Sequence, residues 1–427
     1  MKILLVAEAF PWPPTGGGLL RSAQIFGALA ELGSAELFSL HDGRRSSFEV
    51  PDHIRVTRVG SAPSPALAHG PYWRARWLLR GGVPLEVAMR RADPAPRRAF
   101  ERWAADTYDL VWFSTAAAYD WLGRPRLGPT VIDLDDLEEV KSLQRGSVLR
   151  SSRTSGSSWS RLRSGVAAFQ ATVNSRDWRS FDRSIADQVD TVVLCSQADA
   201  ERSALSNVVV VPNTYPVPEH PAGRIEVGDP PVVLFQGRLN YAPNMDAVEW
   251  LLDDVAPSLW AQMPRIQIRL VGRATPAIEL RSRPPAVTVV GSVPAMEPEL
   301  GRADLCVVPL RMGSGTRLKI LEAFAHRVPV VSTSVGADGL DVRDGVHLLV
   351  ADDPEAFASA CRRLLTDPGQ RARMAEAADA LFRSRYQSAV VNEAVARLVD
   401  GVIARSSGAP PGQAPASARR PPAISSS

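Results

Sequence analysis

Short apolar runs alternate with amphipathic segments along most of the chain, and this alternation predicts an α/β protein. In the first half, apolar runs predict strands at 2–8, 35–40, 54–59, 109–113, 130–134, 191–195 and 208–211. The second half repeats the pattern, with strands predicted at 232–236, 266–271, 286–290, 304–309, 329–333 and 347–350. Since strands that alternate with helices usually pair in parallel, we predict one doubly wound sheet in each half of the chain.

A proline-rich stretch separates the two halves and is predicted to be a linker. Helical periodicity near the carboxyl terminus continues from 368 to 406, which is long enough to run back across both domains. The last residues are rich in proline, serine and alanine, a composition typical of disorder. We therefore predict a first domain at 1–213, the linker at 214–230, a second domain at 231–386, a returning helix at 387–406 and a disordered tail at 407–427.

Composition narrows the function classes. The chain has 427 residues and a net charge of +3, which argues against nucleic acid as the main partner. Cys195, Cys306 and Cys361 have no metal-ligand spacing, and a reducing cytoplasm fits them. No apolar run approaches the ~20 residues of a membrane-spanning helix. Peripheral contact with a membrane stays open, because residues 145–165 form a basic segment that is a lid, a membrane-touching loop or a solvated disordered loop.

The most informative stretch is a strand ending at Pro309, a glycine-rich turn, and a helix expected to open near Thr316. Gly313 and Gly315 allow the backbone to approach a ligand, and the amides at the start of the helix favour an anion. The pattern predicts a phosphate-binding turn.

Three polar side chains on that helix are spaced three and four residues apart and are expected to share one face: Lys319, Glu322 and His326. Only three of the 49 basic residues are lysines, the other two being Lys2 and Lys141. A compact ammonium is not interchangeable with a guanidinium, so Lys319 is a candidate phosphate ligand. The alternative is a solvent-exposed ion pair between Lys319 and Glu322.

Other candidates lie at the carboxyl ends of predicted strands, where open α/β sheets bind ligands. Gly16-Gly17-Gly18 follows the first strand, and Arg21 in the next helix either contacts an anion or is solvated. Asp135 and Asp136 follow another strand, where carboxylates hold a metal, act as a base, bind substrate hydroxyls or cap the next helix. Arg238 follows the first strand after the linker and is expected to converge with Lys319.

Several short motifs, in their order and spacing, resemble glycosyltransferase family 4, the group 1 retaining enzymes. The resemblance covers nearly the whole second domain and implies the GT-B architecture, in which two Rossmann-like domains face each other across a cleft. The motifs are Gly237-Arg238, Leu270-Val271-Gly272, Val290-Gly291-Ser292-Val293, Ala303-Asp304, Val307-Val308-Pro309, Leu321-Glu322-Ala323, Val328-Pro329-Val330-Val331-Ser332-Thr333 and, in the first half, Gly16-Gly17-Gly18, Ser196-Gln197-Ala198-Asp199 and Val211-Pro212-Asn213.

The resemblance implies that Arg238 binds the donor diphosphate and that Glu322 accepts the ribose hydroxyls of a nucleotide. The chain departs from the family pattern at three points. The second cation that commonly follows the arginine is missing, and Lys319 is expected to replace it. Ser314 stands where the family often has a glutamate, and no histidine matches the catalytic one of the first domain, so we look to Asp135 and Asp136 instead.

We therefore predict transfer of a sugar from a nucleotide diphosphate sugar to a hydroxyl acceptor, without a metal or other cofactor. The acceptor is a glycan, a lipid-linked glycan or a small molecule. The rivals are a sugar-nucleotide epimerase or hydrolase and a catalytically silent nucleotide-sugar-binding protein. The predicted catalytic residues are Arg238, Lys319, Asp135 and Asp136, and the predicted substrate-binding residues are Gly16, Gly17, Gly18, Arg21, Gly237, Gly272, Gly313, Ser314, Gly315, Thr316, Arg317 and Glu322.

Overall fold

The computed structural model of the chain describes residues 1–14, 16–40, 48–62, 82–91, 93–151, 158–224, 226–313 and 315–406. Two of the predictions fall on residues outside these ranges: the ligand contact of Ser314 and the disordered tail at 407–427. Part of the basic segment at 145–165 also lies outside them.

Seven parallel strands form the sheet of the first domain, in the spatial order β3-β2-β1-β4-β5-β6-β7. Helices cover both faces, which is why the strands read as continuous apolar runs and not as alternating ones. The strands are β1 (Lys2–Ala7), β2 (Ser34–Ser39), β3 (Val56–Ser61), β4 (Leu110–Phe113), β5 (Thr130–Asp135), β6 (Thr191–Leu194) and β7 (Val208–Val210).

The helices of the first domain connect these strands, and several begin at the expected capping residues. The side chain of Thr115 accepts a hydrogen bond from the amide of Ala118, and Ser196 accepts one from Asp199. The helices are α1 (Gly17–Leu32), α2 (Leu85–Arg90), α3 (Ala95–Trp103), α4 (Ala116–Trp121), α5 (Glu138–Ser151), α6 (Ser158–Ala186) and α7 (Gln197–Ser203).

The second domain has a sheet of six parallel strands in the order β10-β9-β8-β11-β12-β13. Its core gathers Phe235, Leu270, Val307 and Phe324, all of them buried. The strands are β8 (Val232–Gln236), β9 (Gln267–Val271), β10 (Val287–Gly291), β11 (Leu305–Val308), β12 (Val330–Ser332) and β13 (Leu349–Val350). The predicted α/β class with two doubly wound parallel sheets is confirmed.

The helix predicted after Tyr241 contains a π-helical turn, at Leu251–Val255, between two α-helical parts. The helices of this half are α8 (Ala242–Trp250), α9 (Ala256–Gln262), α10 (Pro276–Glu279), α11 (Glu297–Arg302), α12 (Leu318–Ala325), α13 (Ser334–Ala337), α14 (Pro354–Thr366), α15 (Pro368–Arg385) and α16 (Ser388–Ser406).

The chain crosses between the two domains at 213–215 and again at Tyr386-Gln387. At the second crossing the helical pattern that looked continuous from 368 to 406 is interrupted, because Gln387 pairs with Tyr215 of the first crossing. Helix α16 then packs on α1, and its buried valines join the core of the first domain.

Candidate functional site

The carboxyl edges of the two sheets face each other, and the turn between β11 and α12 lies against the first domain. The amide of Thr316 donates to Sγ of Cys195 at 3.4 Å, and the amide of Gly313 donates to the side chain of Gln144 on α5. A Cβ atom on Gly315 would lie 2.6 Å from Cβ of Asp136. The glycine turn therefore meets the first domain at the residues that follow β5 and β6.

The turn needs its glycines for conformational reasons. Gly313 has a φ of 129° and Gly315 a φ of 75°, both in a region that side chains disfavour. Because their amides donate to the first domain, Gly313 and Thr316 are less available to a ligand than the sequence suggested. Helix α12 begins at Leu318, two residues later than expected.

The first turn of α12 keeps free donors. In the part of the chain that the structure describes, the amides of Leu318 and Lys319 donate to no acceptor, and no side chain caps this end of the helix. Arg317 precedes the helix with a half-buried side chain whose Nη2 donates to the carbonyl of Val335 at 3.4 Å. Free amides and the helix dipole together favour an anion at this position.

Lys319 points into the crevice between α12 and the turn that follows β8. Its Nζ donates to Oδ1 of Asn244 at 2.9 Å and lies 4.4 Å from the ring centroid of Phe235. Within the described ranges no carboxylate lies within ion-pair distance of this ammonium. Burial lowers the pKa of Lys319 to about 7, and the positive charge of Arg317 acts in the same direction. A bound anion would compensate this charge.

Gly237 borders the same crevice, Gly272 packs against it, and the convergence of Arg238 with Lys319 stays a prediction. A Cβ atom on Gly237 would lie 3.1 Å from Nζ of Lys319, so a side chain there would fill the space beside the ammonium. Arg238 is exposed, with its guanidinium 5.9 Å from the ring centroid of Tyr241, and it has no ion-pair partner among the described residues. Gly272 packs directly on Gly237, since its Cβ would lie 1.8 Å from the carbonyl oxygen of Gly237. This packing of the two strand ends explains why residue 272 is a glycine.

Glu322, one turn further along α12, is held by two donors. The hydroxyl of Tyr215 donates to its Oε1 at 2.7 Å, and the side-chain amide of Gln236 donates to Oε2. Burial raises the pKa of Glu322 to about 7. A carboxylate has about four acceptor positions, so this arrangement leaves positions for further hydroxyl donors.

The third member of the expected face, His326, does not reach the crevice. It is buried, and its Nδ1 accepts a hydrogen bond from the amide of Ala222 at 3.2 Å. The prediction that His326 shares the crevice with Lys319 and Glu322 is wrong, because residue 326 lies at the end of α12, beneath the linker.

The first glycine loop lies opposite the start of α12. A Cβ atom on Gly17 would lie 3.1 Å from Cδ1 of Leu318, whereas Gly16 and Gly18 border open space. Gly17 is the first residue of α1, and Gly16 caps it without a side chain. The predicted substrate contact of these three glycines stays a prediction, supported by their position across from α12.

Arg21 has a structural role, which corrects the prediction that it binds an anionic ligand. Its guanidinium forms a bidentate ion pair with Asp133 at 2.8–3.0 Å and donates to the carbonyl of Val211 and to Oδ1 of Asn213. Only 5% of its side chain is exposed. Because protein acceptors satisfy the guanidinium, it is not available to a ligand.

Asp135 and Asp136 remain at the cleft. Asp135 has a φ of 59°, and its Oδ1 accepts a hydrogen bond from Nδ2 of Asn213 at 2.9 Å, with 32% of the side chain exposed. Asp136 forms an ion pair with Lys141 at 2.5 Å. Burial raises the pKa of Asp136, and Lys141 opposes the shift. Asp136 lies against the turn between β11 and α12, and the catalytic role of both carboxylates stays a prediction.

Comparison with known proteins identifies the second half of the chain. Residues 230–367 match the model of the family described as glycosyl transferases group 1. The second domain is a group 1 glycosyltransferase domain. A curated relative, an uncharacterized 44.6 kDa protein in the cps region of Klebsiella pneumoniae, is 30% identical over 135 residues. That match covers 30% of this chain and spans 35% of the relative.

Solved structures of other proteins resemble the fold of both domains, not of the second domain alone. Sucrose-phosphate synthase from Thermosynechococcus elongatus matches with a TM-score of 0.68 at 18% identity, over 95% of this chain and all (100%) of that one. HepE from Anabaena, solved with UDP and glucose, matches with a TM-score of 0.59 at 18% identity, over 94% and 100%. The two domains therefore have the GT-B fold, as the sequence predicted.

Four site residues beside the glycosyltransferase domain's crevice were not predicted: Gln144, Tyr215, Gln236 and Asn244. Gln236 and Asn244 flank Gly237-Arg238, so their position at a strand end and a helix start could have indicated them. Tyr215 falls in the predicted linker, and Gln144 falls in no predicted motif. Nothing in the sequence relates those two to the site, because their partners are distant along the chain.

Proposed function

We propose that the chain transfers a sugar from a nucleotide diphosphate sugar to a hydroxyl acceptor. The observation that carries the proposal is that, among the described residues, Lys319 has no ion-pair partner and the amides of Leu318 and Lys319 donate to no acceptor, within a stretch that matches the group 1 glycosyltransferase family. A diphosphate supplies the negative charge that this position lacks. Donor binding to HepE, which has been solved with UDP-glucose, supports the same class of ligand.

The reaction breaks the bond between the anomeric carbon and the diphosphate oxygen and forms a bond to the acceptor oxygen. Negative charge develops on the leaving diphosphate, and Lys319 and Arg238 stabilise it. The acceptor proton leaves to the departing phosphate or to Asp136. We propose that both events occur on one face of the sugar, so that the anomeric configuration is retained.

The proposal includes no metal and no other cofactor. In metal-dependent transfer a divalent cation neutralises the leaving diphosphate. Here Lys319 and Arg238 are available for that task, and the amides of Leu318 and Lys319 add two donors. Cations and helix amides of the protein are therefore proposed to replace the metal.

We also propose contact with an anionic membrane surface, through the hairpin of α5 and α6. Residues 140–176 contain seven basic residues and no acidic ones. The exposed apolar side chains on the described part of this hairpin are Leu143, Val166 and Phe169, the last with 65% exposure. Basic charge with exposed apolar groups is the combination that binds anionic lipid.

The hairpin is also long enough to project. Helix α6 has 29 residues, or about 44 Å, and ends beside the start of β6, so its first half extends beyond the carboxyl edge of the sheet. No helix among the described segments combines the length and apolar character of a membrane crossing. The buried free cysteines fit a cytoplasmic location, and we propose the inner face of the membrane as the place of action.

A silent nucleotide-sugar-binding protein is the second candidate, favoured by one observation. The amides of Gly313 and Thr316 are occupied by the first domain, which reduces the donors available around the leaving group. An epimerase or hydrolase on the same fold is the third candidate, since Asp135 and Asp136 follow β5 and Asp136 lies against Gly315.

The test has two steps. A thermal-shift panel of nucleoside diphosphates identifies the base, and mass spectrometry then follows the matching sugar donors with and without hydroxyl acceptors. Transfer requires a product whose mass includes the acceptor. Release of free sugar and nucleoside diphosphate without acceptor indicates the hydrolase, and a new sugar nucleotide of the same mass, separated by chromatography, indicates the epimerase. Tight binding without turnover under any acceptor indicates the silent protein.

A further inference from the structure

Three consecutive residues at the first crossing between the domains contact three separate parts of the molecule. Asn213 donates through Nδ2 to Asp135 at 2.9 Å, and Thr214 donates through its hydroxyl to the carbonyl of Tyr386 at 2.6 Å. Tyr215 donates through its hydroxyl to Glu322 at 2.7 Å. One short segment therefore joins a first-domain carboxylate, the second crossing and a second-domain carboxylate.

The packing of this segment fixes its side chains. Asn213 and Thr214 are buried, and Asn213 accepts a further hydrogen bond from Arg21 at 2.8 Å. The ring of Tyr215 packs edge-on to His326, with the centroids 6.2 Å apart. Asn213 and Tyr215, the two ends of the segment, are therefore both anchored. We expect that a change in the contacts of one of them also shifts the other.

We infer that the crossing Asn213–Tyr215 is a positioning element for the transfer. Tyr215 orients Glu322 toward the ribose of the donor, and Asn213 orients Asp135 toward the acceptor. The crossing thus holds Glu322, on the donor side, and Asp135, on the acceptor side, at a fixed distance from each other. The inference rests on the proposed function for the identity of the ligands, but the contacts themselves do not depend on it.

The effect of Tyr215 on Glu322 follows from the groups that surround this carboxylate. Burial and the charge of Glu297 raise the pKa of Glu322, whereas the hydroxyl of Tyr215, the ammonium of Lys319 and the amide of Gln236 lower it. Removing the hydroxyl should raise the pKa further and free the carboxylate to rotate. Both changes weaken the acceptance of two ribose hydroxyls, which requires an ionised and oriented carboxylate.

A merely structural role would predict something different. Tyr386 stands at the other crossing, and its hydroxyl accepts a hydrogen bond from the amide of Asp341 at 2.8 Å. The change Tyr386→Phe removes a hydroxyl at the second crossing and leaves the contacts of Glu322 intact. It is the matched control for Tyr215→Phe, because both variants lose one hydrogen bond at the crossing and only one loses a contact to the carboxylate.

The first experiment compares binding of the best nucleoside diphosphate and of its 2′,3′-dideoxy analogue by calorimetry. Tyr215→Phe should lower the affinity for the diphosphate that has ribose hydroxyls by about 5- to 30-fold. The affinity for the dideoxy analogue should not change. Tyr386→Phe should change neither. Equal losses for the two ligands, or equal losses in the two variants, would overturn the positioning role of Tyr215.

The second experiment does not need a nucleotide. The side-chain carboxyl resonance of Glu322, assigned with Glu322→Gln, is titrated in the wild type and in Tyr215→Phe. The midpoint should move to higher pH in the variant, and an unchanged midpoint overturns the inference. If the wild type bound no nucleotide at all, the proposed function would fail, while this titration would still decide whether Tyr215 controls Glu322.

The third experiment tests the other end of the segment. Asn213→Asp keeps an acceptor for Arg21 but replaces the amide that donates to Asp135 with a repelling carboxylate. We expect kcat for transfer to fall at least about tenfold while the Kd of the donor stays within about twofold. An unchanged kcat would remove Asp135 from the element and overturn the inference for this end.

Discussion

The change Lys319→Ala tests the phosphate site most directly. In the free protein the ammonium has a hydrogen bond to Asn244 and lies over the ring of Phe235, but it has no carboxylate partner among the described residues. A diphosphate in the crevice would provide the missing charge. The variant should therefore bind a nucleoside diphosphate much more weakly than the wild type does, while its binding of the corresponding nucleoside changes far less.

The size of the loss can be worked from the site. Two unit charges about 4 Å apart attract by about 4 kcal/mol at the effective dielectric constant of ~20 that suits such sites. Desolvation offsets part of this attraction, and hydrogen bonds between charged groups contribute about 1.5–3 kcal/mol in net terms. A loss of about 2 kcal/mol corresponds to about 30-fold in the Kd of the diphosphate.

The pH dependence of the binding affinity tests the roles of Lys319 and Glu322 a second time. The pKa of Lys319 is lowered to about 7, and the protonated form binds the anion, so affinity should fall as pH rises above 7. The limit is about tenfold per pH unit, until the level of Lys319→Ala is reached. Glu322, with a pKa of about 7, acts in the opposite sense, since it must be ionised to accept ribose hydroxyls. Nucleoside binding should therefore strengthen from pH 6 to about 8 and then level.

Isothermal titration calorimetry at pH 6, 7, 8 and 8.5 measures both effects. Lys2→Ala is the control, since Lys2 begins β1 at the edge of the sheet away from the cleft and lies 3.4 Å from Glu36. Equal losses for diphosphate and nucleoside in Lys319→Ala would refute the phosphate role. So would a wild-type diphosphate affinity that does not change between pH 7 and 8.5.

Three further predictions concern the fold, the cofactor and the membrane. Arg21→Ala should lower the free energy of unfolding in urea by about 3–5 kcal/mol, because it leaves Asp133 buried without its partner; a loss below about 1 kcal/mol would contradict the structural role. Transfer activity should survive exhaustive EDTA treatment, and restoration by added Mg²⁺ or Mn²⁺ would contradict metal independence. Phe169→Asp should reduce sedimentation with anionic vesicles at least several-fold, whereas Leu280→Asp, at an 83% exposed position of the second domain, should not; equal effects would remove the hairpin from the membrane contact.

The strands were predictable because a buried parallel strand leaves a clear record in the sequence. The central runs have helices on both faces, so burial alone dictates their composition, whereas edge strands such as β3 are partly exposed. The end of α15 was not predictable in this way. The apolar period continues across Tyr386, and the interruption arises from pairing of Gln387 with Tyr215, a partner distant in sequence. Periodicity reports which face is buried, but it does not report which distant residue lies against it.

The cleft residues divide along the same line. Motif order located Gly237-Arg238 and the turn before α12, because glycines and strand ends are local features. It could not reveal that Gln144 and Cys195 occupy amides of that turn, since those contacts cross between the domains. The anion-binding capacity accordingly shifts from the turn itself to the first residues of α12, where the amides and the side chain of Lys319 remain available.

Compensation of charge separates the structural cations from the functional ones. Arg21 and Lys319 both begin helices beside glycine loops, and the sequence gives them similar contexts. Arg21 has a carboxylate, a carbonyl and an amide oxygen around its guanidinium, so a ligand would have to displace partners already in place. Lys319 has one neutral acceptor among the described residues, and burial already weakens its hold on the proton. An anion gains little at Arg21 and much at Lys319, and for this reason we propose that the donor diphosphate binds at the start of α12.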